Sequence, residues 1–228
     1  MPNRPGQFDL NEEIEYYSSD SLSPVSADQI AFLAKDMQLW VPQPEHEFEG
    51  KDVLDLGAGK GAVGILIGQH FQPRKIVSVE LVFQRLSTAK QWSAQMHHYQ
   101  LVVGNIFTLP FADCSFDCVV ANSVLHHLPN LHLATREIQR VLRPGGKYIG
   151  REPNFNNPLV RLGVFRLQNT FFFSGSHSNN EYPLRAQEII AAFKQAGCDC
   201  HMEYFWRRLP GLHHPILSVA MSVQAQRT

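Results

Sequence analysis

No stretch of this chain approaches the ~20 apolar residues needed to span a bilayer. No basic excess points to nucleic acid either: 20 Lys and Arg stand against 21 Asp and Glu, for a net charge of −1. A nucleic-acid partner is therefore not expected. Cysteine is scarce. Cys114, Cys118, Cys198 and Cys200 are the only four, and they lack the paired C-x-x-C spacing of a zinc site, so reduced and mostly buried thiols are expected. The eleven histidines include the doublets His97-His98, His126-His127 and His213-His214. Neighbours on a helix or strand point in different directions, which makes a doublet a poor chelate, and no metal is expected. There is no internal repeat. The first residues, Met-Pro-Asn-Arg-Pro-Gly, lack the apolar core of a signal peptide, and a cytoplasmic location is the expectation. With 44% hydrophobic and 18% charged residues among 228, the composition is that of a globular chain with one sizeable core, not a disordered one.

What the chain does have is alternation. From about residue 50 onward, short apolar strand patterns alternate with helical ones, which predicts a doubly wound parallel α/β sheet. Strands are expected at 53–56, 76–79, 101–103, 116–121 and 147–151. Helices are expected at 62–70, 82–96 and 131–142, the last with Leu131, Ala134, Ile138, Val141 and Leu142 on one face. A helix at 184–196 precedes two final strands, near 199–206 and 216–224. Residues 1–50 read as an N-terminal helical extension or cap. Its residues 26–39 form an amphipathic helix with Ile30, Leu33, Ala34 and Met37 on one side. Residues 51–228 read as the main domain, with an insert at about 152–182 rich in Asn, Pro, Ser and Phe.

The most informative stretch is Asp-Val-Leu-Asp-Leu-Gly-Ala-Gly-Lys-Gly at 52–61. An apolar strand runs into Gly57, Gly59 and Gly61, and a helix follows. Glycines at a strand-to-helix turn let the backbone bend sharply and let a ligand approach closely. With Ala62, Gly57 and Gly59 also satisfy the dinucleotide fingerprint G-x-G-x-x-G/A. Asp55 separates the two readings. A carboxylate just before the loop repels a pyrophosphate, which sits on helix N-terminal amides, and it suits a cation. S-adenosylmethionine carries an ammonium and a sulfonium and no phosphate. Here the chain resembles the class I S-adenosylmethionine-dependent methyltransferases, whose first motif is an acidic residue followed by G-x-G-x-G. The resemblance implies a Rossmann-like, mostly parallel seven-stranded sheet closed by a C-terminal antiparallel hairpin.

Further residues fit in order. Glu80 ends the second strand, where open α/β sheets bind ligands, and a carboxylate there accepts from both ribose hydroxyls. NAD enzymes place an acid at the same point, so Glu80 indicates an adenosine ligand without choosing which. The resemblance implies a cofactor contact at Leu81, beside it, and at Ala58 in the loop. After strand three comes Gly104-Asn105-Ile106. The family usually has Asp where Asn105 stands, accepting from the adenine amino group; Asn105 keeps a carbonyl acceptor, and the Ile106 amide meets the ring edge. Asn105 also suits a tight turn. Leu109-Pro110-Phe111 with Phe116-Asp117, and Leu142-Arg143-Pro144-Gly145-Gly146, match further family runs. After strand four, Asn122 through Leu128 lies, by resemblance, beside the methionine part of the cofactor. His126 or His127 there is a candidate general base, since an unperturbed histidine titrates near ~6.5; each also fits a packing or capping role.

The implied activity is methyl transfer from S-adenosylmethionine, releasing S-adenosylhomocysteine, to a small or medium-sized organic acceptor. The Asn-Pro-Pro-Tyr and Asp-Pro-Pro-Tyr tetrapeptides of nucleic-acid-methylating relatives are missing. The insert and the N-terminal extension are expected to wall the acceptor pocket. Two other readings remain: a non-catalytic cofactor-binding regulatory or scaffold protein, and an NAD-dependent oxidoreductase.

Overall fold

Central strands with apolar residues on both faces need a covering layer on each side. The computed structural model, which describes residues 10–18, 23–161, 182–209 and 211–228, provides both. Seven strands form one sheet in the order β3-β2-β1-β4-β5-β7-β6. They are β1 Asp52–Leu56, β2 Lys75–Glu80, β3 Tyr99–Val103, β4 Phe116–Asn122, β5 Leu142–Pro153, β6 Cys198–Phe205 and β7 Ala220–Arg227. The first five pair in parallel, and β7 runs antiparallel between β5 and β6. The expected doubly wound sheet with a C-terminal antiparallel hairpin is present. The chain steps outward from β1 to β3, then returns to add β4 on the other side of β1. Ligands of open α/β sheets bind at such a reversal, beyond the carboxyl ends of the strands.

Period-two alternation divides the core. Leu54 and Leu56 of β1, with Val119 and Ala121 of β4, enter one cluster; Val53, Cys118 and Val120 enter the other. The first face is covered by the helices Leu131–Val141 and Ala186–Gln195 through Ala134, Ile138, Ile189 and Phe193. The second is covered by the helix Ala62–His70 and by residues 25–48, which contribute Val25, Ile30, Leu33, Met37, Trp40, Val41 and Phe48. The helix Ala27–Met37 starts where a capping box forms: the Gln29 amide donates to Ser26 Oγ at 3.2 Å, and the Ser26 amide donates to Gln29 Oε1 at 2.8 Å. Ser222 of β7 then donates to the Trp40 carbonyl at 2.7 Å, which ties this segment to the far side of the sheet. Among the described residues no helix is long and apolar enough to cross a membrane.

Two expectations are corrected. The helix expected at 82–96 is two short pieces, Phe83–Ser87 and Lys90–Ser93. Thr88 sits at the break, with its hydroxyl donating to the carbonyls of Arg85 at 2.8 Å and Lys60 at 3.3 Å, so the chain is drawn toward the glycine loop instead of continuing as a helix. The last strand begins at Ala220, not 216, because Ile216 and Leu217 amides donate to His214 Nδ1 in a turn. Arg143 belongs to an ion-pair network at the opposite edge of the sheet. It pairs with Asp52 and Asp117 at 2.8 and 2.9 Å, beside Arg74, at the amino ends of β1 and β4.

Candidate functional site

The carboxyl ends of β1, β2, β4 and β5 converge on one edge of the sheet. The turn after β1 needs left-handed backbone three times: Gly57, Gly59 and Gly61 have φ of +63°, +53° and +80°. A side chain at Gly61 would also meet Ala89 Cβ and the Tyr99 hydroxyl at 2.7 Å. Gly61 is therefore fixed by packing as well as by its dihedral, as the residue capping the helix Ala62–His70. A side chain at Gly57 would strike Val124 at 2.9 Å, so the turn after β4 packs directly on the loop after β1.

Three carboxylates end three strands, and all are buried. Glu80 holds the loop: its Oε2 accepts from the Gly59 amide at 2.7 Å and its Oε1 from the Val82 amide at 3.1 Å. Asp55 Oδ2 accepts from the Gly64 amide at 3.0 Å and the Ser78 hydroxyl at 2.7 Å. Ser78 in turn lies 2.9 Å from the Tyr99 hydroxyl. Glu152 ends β5 and serves the turn after β4. Its Oε1 accepts from the amides of Val124 and Leu125 at 3.0 and 2.9 Å, and its Oε2 lies 2.7 Å from His126 Nδ1.

Residues 54–150 match the family model described as a methyltransferase domain. Over these residues the chain is similar to a methyltransferase domain. The chain is 31% identical over 126 residues to the demethylmenaquinone methyltransferase of Staphylococcus aureus, an alignment covering 55% of this chain and 51% of that one. It is 30% identical over 109 residues to an uncharacterised 37.1 kDa protein of a Streptomyces fradiae transposon, covering 47% of this chain and 32% of that one. The chain thus spans about half or less of the length of these curated relatives. In fold it is similar to the geranyl diphosphate C-methyltransferase of Streptomyces coelicolor, with a TM-score of 0.69 at 13% identity over 99% of this chain and all of that one. It is also similar to the PH0226 protein of Pyrococcus horikoshii, with a TM-score of 0.68 at 17% identity over 94% and 99%.

In this matched region, the residues singled out from the sequence fall on one edge, but several are already engaged by the protein. Asn105 Oδ1 accepts from the Phe107 amide at 2.9 Å, so its carbonyl closes a turn. Ile106 beside it is half-buried against the core. Leu81 follows Glu80 and is half-buried, as is Ala58 within the loop. Asn122 Oδ1 accepts from Arg151 at 3.2 Å, and Arg151 pairs with buried Asp36 at 3.6 Å. His126 is buried on the 3-10 turn Leu125–His127, and His127 is half-buried with its Nδ1 3.5 Å from the Tyr17 hydroxyl. Phe155 of the insert is buried 6.0 Å from the His126 ring. Phe165 and Phe171 to Phe173 lie outside the described residues. Among the described residues no three His, Cys, Asp or Glu gather as metal ligands.

Sequence reasoning missed Glu152, Arg85 and Tyr17. The Arg85 guanidinium lies 4.4 Å from the Tyr17 ring centroid, and that ring meets His127 edge-on at 6.2 Å. The helix Leu10–Ser18 thus touches residues that follow β2 and β4. No spacing announces this contact. Glu152 did leave a signal: like Asp55 and Glu80, it is an acid near the carboxyl end of a sheet strand.

Burial pushes the Asp55 carboxyl up from 3.8 to about 7, against the hydrogen bonds from Ser78 and Gly64 and with some help from Glu80. The folded state therefore keeps a proton that the unfolded chain releases between pH 3.8 and about 7. This contribution is complete at low pH and is lost as pH rises through that window. An asparagine side chain in its place would accept from Ser78 and Gly64 without any charge to bury. The Asp55→Asn variant should match wild type in urea melts near pH ~4 and exceed it near pH ~8 by on the order of a few kcal/mol. A difference that is constant with pH would show that the buried carboxyl is not shifted.

Proposed function

We propose that this chain transfers the methyl group of S-adenosylmethionine to a small or medium-sized organic acceptor and releases S-adenosylhomocysteine. The observation that carries the reading is the Glu80 carboxylate on the Gly59 amide, 2.7 Å away, at the ends of two adjacent strands. It puts an acceptor for sugar hydroxyls against a backbone with no side chain in the way. Two buried acids beside one loop, Asp55 and Glu80, suit a cationic ligand and disfavour a pyrophosphate. The residues present therefore fit S-adenosylmethionine better than NAD.

When bound, the cofactor supplies an electrophilic methyl group on a sulfonium. Gly57, Ala58, Gly59 and Gly61 give it close approach, Asp55 faces its ammonium end, and Glu80 with Leu81 takes the ribose. Asn105 and Ile106 border the adenine, with Asn105 acting through its turn geometry and its side-chain NH2 group. Asn122, His126 and His127 face the methionine part and the acceptor. Alignment alone can provide much of the rate of such a transfer. The acceptor is bounded by Phe155 and by the N-terminal residues that reach the site through Tyr17. The reading includes a cytoplasmic location, which the four free thiols support. Incubating the protein with methyl-labelled S-adenosylmethionine and a metabolite extract tests it. Label should pass to a low-molecular-weight product; cofactor binding with no transfer to any fraction would favour a non-catalytic binding protein.

A further inference from the structure

Of the eight large apolar side chains exposed among the described residues, four stand on two neighbouring segments: Leu159 at 46%, and Leu209, Ile216 and Leu217 at 51%, 52% and 54%. β5 ends at Pro153 and β6 at Phe205, both beside Ala220, where β7 begins. The segments 154–161 and 206–219 therefore leave the sheet at its carboxyl edge, the edge that carries Glu80 and the glycine loop. The turn that exposes Ile216 and Leu217 is built from within. Buried Asn154 donates from Nδ2 to the carbonyls of Pro215 and Ser218 at 2.9 and 2.8 Å, and buried Asn157 donates to that of Leu217 at 3.0 Å. Asn157 Oδ1 also accepts from the Leu159 amide at 2.9 Å, so Leu159 and Leu217 flank one asparagine. The Ile216 and Leu217 amides donate to His214 Nδ1, and Ser218 Oγ accepts from the His214 amide at 3.0 Å and donates to the Leu212 carbonyl at 2.9 Å. These amides and carbonyls of the tip are bonded inside the protein while its apolar side chains stay exposed. Moving such a tip into an apolar medium leaves few backbone groups unpaired.

The charge around the tip has one sign. The two segments hold Arg161, Arg207 and Arg208 and no Asp or Glu, in a chain whose net charge is −1. Arg161 and Arg208 are exposed. The Arg207 guanidinium lies 3.6 Å from the ring centroid of Phe32, which brings a fifth exposed apolar side chain to this face. Apolar side chains on a projecting turn, flanked by arginines, match a bilayer interface with anionic headgroups. A second copy of the chain on the same face would set arginine against arginine. We propose that this carboxyl-edge face docks on an anionic lipid bilayer, with Ile216 and Leu217 entering the boundary of the acyl chains and Arg161, Arg207 and Arg208 at the level of the phosphates. Docking turns the edge that carries Glu80 toward the lipid. The proposal goes beyond the methyl-transfer reading and does not depend on it.

Co-sedimentation of the full chain with vesicles tests this, with no cofactor present. Vesicles of phosphatidylcholine with about 30% phosphatidylserine should take up the protein, and phosphatidylcholine alone should take up several-fold less. Raising the salt from about 0.05 to about 0.5 M should weaken the uptake. The double variant Ile216→Ser with Leu217→Ser should weaken it by roughly tenfold or more. Arg161→Gln and Arg208→Gln should each weaken it by about fivefold. All of these side chains are exposed, so the variants should keep the wild-type urea midpoint. No uptake by the anionic vesicles, equal uptake by the two lipid compositions, or wild-type uptake by the double variant would overturn the proposal. So would a concentration-dependent dimer in sedimentation velocity that the double variant dissolves, because a second copy would then cover the face. If the double variant does not fold, Leu159→Ser and Arg161→Gln decide: each should weaken the uptake, and unchanged uptake in both would reject the bilayer as the partner.

Discussion

Trp40→Ala should cost about 3–5 kcal/mol of stability, the range for truncating a large buried aromatic. Trp40 is 1% exposed and sits in the cluster that contains Val53 of β1, Ile149 of β5 and Ile65 and Ile67 of the helix after β1. Its backbone carbonyl is held by Ser222. The segment around it is thus the second covering layer of the sheet, and truncation leaves a cavity beneath β1 and β5. Urea melts followed by tryptophan-independent far-UV circular dichroism would measure the loss. A midpoint within about 1 kcal/mol of wild type would mean that residues 25–48 rest on the sheet without supporting it.

Glu80→Ala should weaken S-adenosylhomocysteine binding roughly 10- to 150-fold, equivalent to about 1.5–3 kcal/mol for losing a charged hydrogen-bond acceptor. The variant loses ligand contacts and also frees the Gly59 and Val82 amides that Glu80 now holds. Glu80→Gln separates the two effects. It retains one carbonyl acceptor for the loop but loses the charge and part of the ribose pairing, so it should fall between wild type and alanine. Calorimetric titration of the three proteins checks the order. Equal affinities would place the sugar elsewhere.

The sheet and its carboxyl edge were legible because they rest on period-two and 3.6-residue patterns and on glycine spacing, all local along the chain. Leu54 and Val53 enter opposite clusters for the same reason that they are neighbours in sequence. Asp55, Glu80 and the three glycines could be assigned to one strand edge because the loop and the next strand end lie at fixed separations in such folds. The remaining features depend on contacts between distant segments. Glu152 reaches His126 across 26 residues, and Tyr17 reaches His127 across 110. Thr88 breaks a helical pattern only because the Lys60 carbonyl lies beside it. Asn105 shows the opposite limit: its residue type fitted both a ligand contact and a turn, and the Phe107 amide shows the turn in use. His126 and His127 are sequence neighbours of equal chemistry, and the Glu152 carboxylate that meets His126 comes from another strand.

The site rests most directly on the claim that paired acids at the glycine loop select a cationic adenosine ligand over a pyrophosphate. Parallel calorimetric titrations of the full chain with S-adenosylmethionine and with NAD, at the same ionic strength, test it. One-site binding of S-adenosylmethionine, with no measurable heat from NAD and with the first isotherm weakened in Glu80→Ala, is the predicted result. Saturable NAD binding with no response to S-adenosylmethionine would contradict the account.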